Sequence, residues 1–349
     1  MNIKQILFEN KKIFDKYLLD FFSNKKDLYQ NKSPEMLDMI EKIESQVLRS
    51  GKRVRPFLAK QSYLLGGGEN DDLINTLGVS LELLHQYFMI HDDIVDRDEK
   101  RYGQDSLHIV YEKESGDDHF GKSMAMIAGD LLFSFSNDAL LHLAIDEKTK
   151  TELMSLIQRA VEDTTLGWQA HFFQNKKRVD EVTEKEFLLG MEYVSARYTF
   201  LYPLLMGLEL AGNKNLTEKL SNYSINVGMA YQIQDDVLGV FGSTEKTGKP
   251  SGNDIREGKK SLLILRAYKN GDNDQKMCIS KYLGTNIDQK QLAEMRDIIT
   301  QTGSLKYSTN LAKKYIQNAK LSLEEIDDRN SLSKNFLFEL SDFTLKRSG

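Results

Sequence analysis

The stretch Leu77-Gly78-Val79-Ser80-Leu81-Glu82-Leu83-Leu84-His85-Gln86-Tyr87-Phe88-Met89-Ile90-His91-Asp92-Asp93-Ile94-Val95-Asp96 decides the fold. Leu77, Leu81, Leu84 and Phe88 recur at spacings of four, three and four, which is one face of a helix. The helix they predict runs from about Asp72 to Asp98, roughly 40 Å at 1.5 Å rise per residue. Asp92 and Asp96 continue that face as an i, i+4 pair, and Asp93 sits about 100° round the axis. The column is therefore apolar along its length and anionic at its C-terminal end. Carboxylates crowded there oppose the helix dipole and repel one another. Beside apolar residues they are also costly to bury uncompensated. Read alone, the segment from Asp92 to Arg101 is equally well a solvated charge run.

A second segment repeats the arrangement: Tyr231-Gln232-Ile233-Gln234-Asp235-Asp236-Val237-Leu238-Gly239. Gln232 stands i, i+3 to Asp235 and i, i+4 to Asp236, so the three can share a face. Gly239 occupies the place where a third carboxylate would repeat the first segment, so this side offers fewer ligands. The plain alternative is a capped helix end before Gly242. Two such segments together point to hard divalent cations, which take oxygen ligands and share them with substrate phosphates. The chemistry implied is chemistry on a diphosphate.

Proline usage extends the helical reading to the whole chain. Pro34, Pro56, Pro203 and Pro250 are the only four in 349 residues. Average usage of about 5% would give roughly four times as many. Long helices exclude proline, so the chain reads as all-α. Ser33 is placed to cap a helix starting near Pro34, and the basic run from Arg49 to Pro56 opens a helix reaching Leu65. Ser115 to His119 reads as a loop. Ser123–Ala144, Thr151–Phe173, Thr183–Ala211 and Asn222–Phe241 read as helices, as does most of Ser261–Leu345. The glycine- and lysine-rich stretch Gly242–Lys260 reads as a long loop. No linker-like shift in composition interrupts the chain, which reads as one domain, 1–349.

Charge and cysteine content exclude other classes. A net charge of −5 gives no support to nucleic-acid binding by bulk charge. The single Cys278 excludes an internal disulfide framework and suits a reducing cytosol. The N-terminal residues lack the apolar core of a signal peptide. The longest apolar stretch, Leu77 to Ile94, is interrupted by Glu82, His85 and the aspartates, so no membrane span is expected.

A diphosphate also needs cations from the protein. Lys52 and Arg55 are i, i+3 and can grip one diphosphate. Arg101 follows the first aspartate segment, and Lys249 and Lys259 lie on the glycine-rich stretch, a candidate lid.

With these residues in place, the chain resembles the trans-type isoprenyl diphosphate synthases of the polyprenyl synthetase family, from about Gly51 to Tyr315. Gly51-Lys52-Arg53-Val54-Arg55-Pro56 resembles the family's basic isopentenyl diphosphate motif, and His85 falls where the family places a histidine or glutamine for the same group. Asp92-Asp93-Ile94-Val95-Asp96 resembles the first aspartate-rich motif, and Ala128-Gly129-Asp130 a further element, with Gly167 and Gln169 loosely a third. Tyr231 to Asp236, through Gly258-Lys259-Lys260-Ser261, resembles the second aspartate motif with its lysine-bearing tail. The resemblance implies a single bundle of long helices around a central cavity, a cytoplasmic homodimer, and Mg²⁺ as cofactor, in three ions, with Mn²⁺ as the alternative. It implies metal ligands among Asp92, Asp93, Asp96, Asp235 and Asp236, the first and third with Asp235 being catalytic together with Lys249. Lys52, Arg55 and His85 would hold isopentenyl diphosphate; Arg101, Lys249 and Lys259 the allylic diphosphate; Gln232 would lie near the reacting carbons.

Tyr87 and Phe88 stand five and four residues before Asp92 and are the expected floor of the product cavity, which the family analogy ties to a C15 product, with C20 next. The chain departs from the family pattern twice: Arg101-Tyr102-Gly103 stands for Arg-Arg-Gly, and Val194-Ser195 for Lys-Thr. Two lost charge-assisted contacts at about 1.5–3 kcal/mol each weaken binding by well over tenfold. Arg197 is the cation expected to compensate, one turn on from Val194. The competing functions are a weakly active partner subunit, which these departures favour, and a terpene-synthase-like enzyme, which the Lys52/Arg55 pair disfavours.

Overall fold

Side-chain caps set where the helices begin in the computed structural model, which describes residues 3–49, 51–242, 251–327 and 331–346. α1 is Ile3–Tyr29; Ser33 then accepts a hydrogen bond from Met36 N and starts α2, Pro34–Val47, with Pro34 in the first turn as expected. α3 is Val54–Leu65. α4, Asp71–Asp96, is capped by Asn70, whose Oδ1 accepts from Asp72 N and Leu73 N at 3.0 and 3.1 Å. It ends where Arg97 turns left-handed. A two-residue hairpin, Lys100–Arg101 with Gln104–Asp105, follows, the only sheet among the described residues. Its turn residues Tyr102 and Gly103 both have positive φ, 53° and 77°, as a tight antiparallel turn requires.

α5 is Leu107–Ser115 and α6 is Asp118–Leu141. The helix thus opens five residues before the expected Ser123. Asp117 accepts from His119 N and Phe120 N, so the polar run is a cap and first turn more than a loop. α7 spans Glu147–Lys176. The single helix expected over Thr183–Ala211 is instead three registers in succession: α8, Glu184–Met191, a π-helical segment Glu192–Leu201, and α9, Tyr202–Leu210. Pro203 offers no N–H to an α-helical ladder, and Tyr202 N reaches Arg197 O across the wider turn. α10 is Thr217–Phe241. The rest holds a short helix Asn253–Arg256 and five longer ones: Leu262–Asn270, Asn273–Tyr282, Gln289–Gln301, Ser304–Glu324 and Ser331–Lys346. The fold class is all-α.

Contacts group the chain into two compact units. The first comprises residues 1–155 and 206–214. Its core is built on α4 and α6, with Leu18, Phe22, Ile43, Val79, Leu83, Ala128 and Leu132 all but excluded from water. Ser136 Oγ donates to Ser80 O at 2.8 Å, satisfying a hydroxyl inside that apolar contact. Residues 206–214 belong here because Gly207 lies directly on α3: a Cβ would stand 2.1 Å from Ala59 O. By length and composition α6 is the one described helix that could cross a membrane, and it packs along α4 and α5. The second unit comprises residues 156–205 and 215–349. In it α10 packs on the π-helical segment and on Ser304–Glu324. Gly228 permits the first contact, since a Cβ there would meet Ala196 Cα at 2.5 Å, and Tyr223 OH donates to Leu337 O at 2.9 Å.

Candidate active site

Each unit carries its own set of the expected residues. In the first, α4 delivers His85, Tyr87, Phe88, Asp92, Asp93 and Asp96, the turn before α3 delivers Lys52, and the first turn of α3 delivers Arg55. Lys52 is exposed and Arg55 partly buried. Between them Arg53 is buried and left-handed at φ 49°, a backbone state costing a non-glycine residue about 1–3 kcal/mol. Burial, and then the charges of Arg55, Arg53 and Arg101, push the His85 imidazole well below its usual range. His85 is thus a neutral hydrogen-bonding group in a field of three arginines, an environment suited to an anion.

The first aspartate set divides its labour. Asp93 is buried, and its Oδ1 accepts from Arg101 Nε at 2.7 Å and again from the guanidinium NH2. Arg101 NH2 also reaches Asp92 at 3.2 Å and Asp98 at 3.4 Å. Burial alone would lower Arg101; Asp93, Asp92 and Asp98 outweigh it and hold the guanidinium charged. Burial raises the carboxyls of Asp92 and Asp93, against the pull of Arg101. Asp96 is exposed. The structure therefore brings Arg101 onto Asp92 and Asp93, and makes Asp93 the anchor of that arginine. Asp98, which sequence reading did not single out, joins it.

Below this set the side chains are aromatic. Phe88 is buried, and Tyr87 packs on Phe88 at 4.8 Å, on His91 at 4.7 Å and on Phe133 of α6 at 5.4 Å between ring centroids. His91 Nδ1–H donates to Tyr87 O at 2.9 Å. The Ala128-Gly129-Asp130 element has a steric reason: a Cβ at Gly129 would lie 2.3 Å from the His91 ring.

In the second unit Gln232 and Asp236 share a face as expected, with Gln232 Nε2 donating to Asp236 Oδ1 at 3.0 Å. Lys259 donates to the same oxygen at 2.7 Å and reaches Asp254 Oδ2 at 3.4 Å. Burial pushes the Asp236 carboxyl up to about 6, with Lys259 opposing. For Lys259, burial acts downward, but Asp236 and Asp254 outweigh it and keep the ammonium well above its usual range. Asp235 is exposed. Asp254 is the residue sequence reading missed. Its carboxylate takes the space that a side chain at Gly239 would need: a Cβ there would lie 2.4 Å from Asp254 Oδ2. Lys249 lies outside the described residues.

The cation expected to cover for Val194 is already committed. Arg197 donates to Glu192 at 2.9 Å and to Asp163 at 3.0 Å, and stacks on the Tyr193 ring. Val194 itself packs on Gly167, where a Cβ would meet Val194 Cγ2 at 2.9 Å.

These carboxylates fit a hard divalent ion. Asp93 Oδ2 and Asp236 Oδ2 are buried with no hydrogen-bond partner among the described residues, a costly state that a cation or its bound water would relieve. Among the described residues no three ligating side chains already converge into a closed cage. That suits an ion that completes its shell with substrate oxygens.

Comparison with known proteins agrees with the ordered motifs. The sequence profile described as polyprenyl synthetase matches residues 37–301. A geranylgeranyl diphosphate synthase of Saccharolobus solfataricus is 33% identical over 301 residues, 85% of this chain and 86% of that protein. The crystal structure of a geranylgeranyl pyrophosphate synthetase from Pyrococcus horikoshii superposes with a TM-score of 0.85 at 28% identity, covering 99% of this chain and 98% of that one. The fold is also that of a geranylgeranyl pyrophosphate synthase from Corynebacterium glutamicum, solved with isoprenyl diphosphate and magnesium, at a TM-score of 0.89, 22% identity, and coverage of 99% and 100%. With its motifs in order, its helices in place and three quarters of its length within the profile, the chain belongs to the polyprenyl synthetase family.

Proposed function

We propose that this prenyltransferase condenses isopentenyl diphosphate with an allylic diphosphate to release a short-chain, all-trans prenyl diphosphate. The observation that carries the reading is the pairing, in each unit, of a carboxylate set with a partly buried cation: Asp92 and Asp93 with Arg101, Asp236 with Lys259. Such pairs hold opposite charges ready for a metal–diphosphate complex. Magnesium held by Asp92, Asp96 and Asp235, in three ions, would neutralise the leaving diphosphate. The Corynebacterium relative, which shares the fold, binds that metal with isoprenyl diphosphate.

The protein groups then have distinct tasks. Lys52, Arg55 and neutral His85 hold isopentenyl diphosphate. Arg101 and Lys259 contact the allylic diphosphate, Asp93 and Asp236 orienting them; Lys249 joins them on the sequence resemblance. The allylic C–O bond breaks with its electron pair leaving on the diphosphate. The isopentenyl double bond attacks the cation, and a proton is lost to the released diphosphate. Gln232 stands near the reacting carbons, and apolar walls keep water from capturing the cation. The same reading makes residues 1–349 one synthase domain, acting as a cytoplasmic homodimer.

Product length rests on Tyr87 and Phe88. Two aromatic rings one turn beneath Asp92 make a shallow floor, which favours C15; the Saccharolobus and Pyrococcus relatives carry names that favour C20. Phe88→Ala is expected to shift the main product by at least one five-carbon unit, read by chromatography of the dephosphorylated alcohols. An unchanged distribution would remove Phe88 as the floor.

One specific observation favours a weakly active partner subunit: Arg197 is held by Glu192 and Asp163, so Val194 is not compensated from the next turn. One assay decides between the readings. The purified protein is incubated with Mg²⁺, radiolabelled isopentenyl diphosphate and C5, C10 or C15 allylic diphosphates. Elongated diphosphates establish the synthase, no turnover establishes the partner subunit, and cyclised or hydrolysed hydrocarbon rejects both.

A further inference from the structure

Three cations, Lys52, Arg53 and Arg55, stand between Gly51 and Pro56; Lys52 is exposed and Arg55 partly buried. Arg53 is 1% exposed in its side chain. Its Nε donates to Asp15 Oδ1 of α1 at 2.8 Å, one terminal nitrogen to Glu82 Oε1 of α4 at 2.7 Å, and the other to Val47 O at the end of α2 at 2.8 Å. The planar fork thus joins three helices to the turn between Gly51 and Val54. Glu82 is itself buried and also accepts from Gln86 Nε2 at 3.2 Å, on the residue next to His85. Gly51 leaves room for the fork: a Cβ there would stand 3.2 Å from the Arg53 guanidinium. The backbone at Arg53 is left-handed, which rotates residue 52 out of the helical path that residue 55 follows.

We propose that Arg53 is a positioning residue for the isopentenyl diphosphate site. Its side chain never reaches the substrate. Tied to Asp15, Glu82 and Val47 O, it holds the left-handed turn that separates Lys52 from Arg55 and ties that turn to the α4 segment bearing His85. The tether adds specificity because the diphosphate is gripped by groups on α4 and at the turn into α3, and two other polar ties between these helices, Lys60 to Asp71 and Asn70 N to Tyr63 OH, lie at the far end of α3. The inference rests on the assignment of Lys52, Arg55 and His85 to isopentenyl diphosphate.

The test separates positioning from bulk stability by substrate. Arg53→Lys keeps a positive charge between Asp15 and Glu82 but cannot reproduce the three-way fork. It is expected to raise KM for isopentenyl diphosphate about tenfold while KM for the allylic substrate and kcat each change less than about threefold. Asp15→Asn, which leaves no buried charge newly unpaired in place of the arginine, is expected to raise the same KM about threefold with an unchanged melting temperature. It carries the test if Arg53→Lys does not fold. Lys52→Ala is measured alongside. If it raises KM for isopentenyl diphosphate and the Arg53 and Asp15 variants do not, the positioning role is wrong and the site assignment stands. If Lys52→Ala leaves that KM unchanged, the assignment falls and the positioning role with it. Equal rises in both substrates' KM also overturn the proposal, since they would mark general loosening.

Discussion

Asp92→Asn is expected to lower turnover by about a thousandfold and leave the protein as stable as before, or slightly more so. The loss follows from the charge that the Asp92 carboxylate would help place beside the departing diphosphate. Metal neutralisation of such a group is worth several kcal/mol, and each 1.36 kcal/mol is a factor of about ten in rate. The stability follows from electrostatics within the fold. Burial raises the Asp92 carboxyl above its unfolded value, so ionised Asp92 weighs against the folded state at every pH above the unfolded value. Asparagine removes that cost. Arg101 keeps its bonds to Asp93 and its approach to Asp98. Initial rates with radiolabelled isopentenyl diphosphate and a thermal melt on the same preparation check both halves. Activity within tenfold of the parent would remove Asp92 from the proposed metal ligands.

Gly239→Asp, which writes a third carboxylate into the second aspartate segment, is expected to cost about a hundredfold in activity. On the sequence alone it reads as a repair. In the structure that space is taken, because the new Cβ would lie 2.4 Å from Asp254 Oδ2 and 2.5 Å from its Cγ. Asp254 must move, and with it one of the two carboxylates that hold Lys259. Overpacking of this kind costs about 1–3 kcal/mol. The third carboxylate adds repulsion next to Asp235 and Asp236. On the proposed function, a displaced Lys259 would lose its aim at the allylic diphosphate, and misplacement by about 1 Å can cost a hundredfold. Combining Gly239→Asp with Asp254→Gly vacates the space and is expected to recover at least tenfold of the loss. Steady-state rates of the parent, single and double variants check this. A fully active Gly239→Asp single variant would show that the contact with Asp254 does not matter.

What could be read from the sequence was whatever lies close along it. The i, i+4 relation of Gln232 to Asp236 is observed as a hydrogen bond, and the apolar column Leu77, Leu81, Leu84, Phe88 is buried in α4. Helix starts were legible where a cap stood before an apolar run, as at Ser33. At Asp117 the cap was hidden in a polar run whose first turn faces water. The π-helical segment was invisible, because Tyr198, Phe200 and Tyr202 present as much apolar surface in one register as in the other. Asp254 lies fifteen residues beyond Gly239, and only the fold brings its carboxylate into the empty space. Arg53 was given no role of its own between Lys52 and Arg55. Its acids, Asp15 and Glu82, lie thirty-eight and twenty-nine residues away, and nothing local marks them as its partners.

That last ion pair also bears on where this enzyme can be said to begin. The family profile matches the chain only from residue 37, beyond the end of α1. Yet α1 supplies Leu18 and Phe22 to the core and Asp15 to the arginine behind the basic run. The stretch that the profile matches is therefore smaller than the unit that mechanics requires. A border drawn at the first would sever the second at one buried guanidinium.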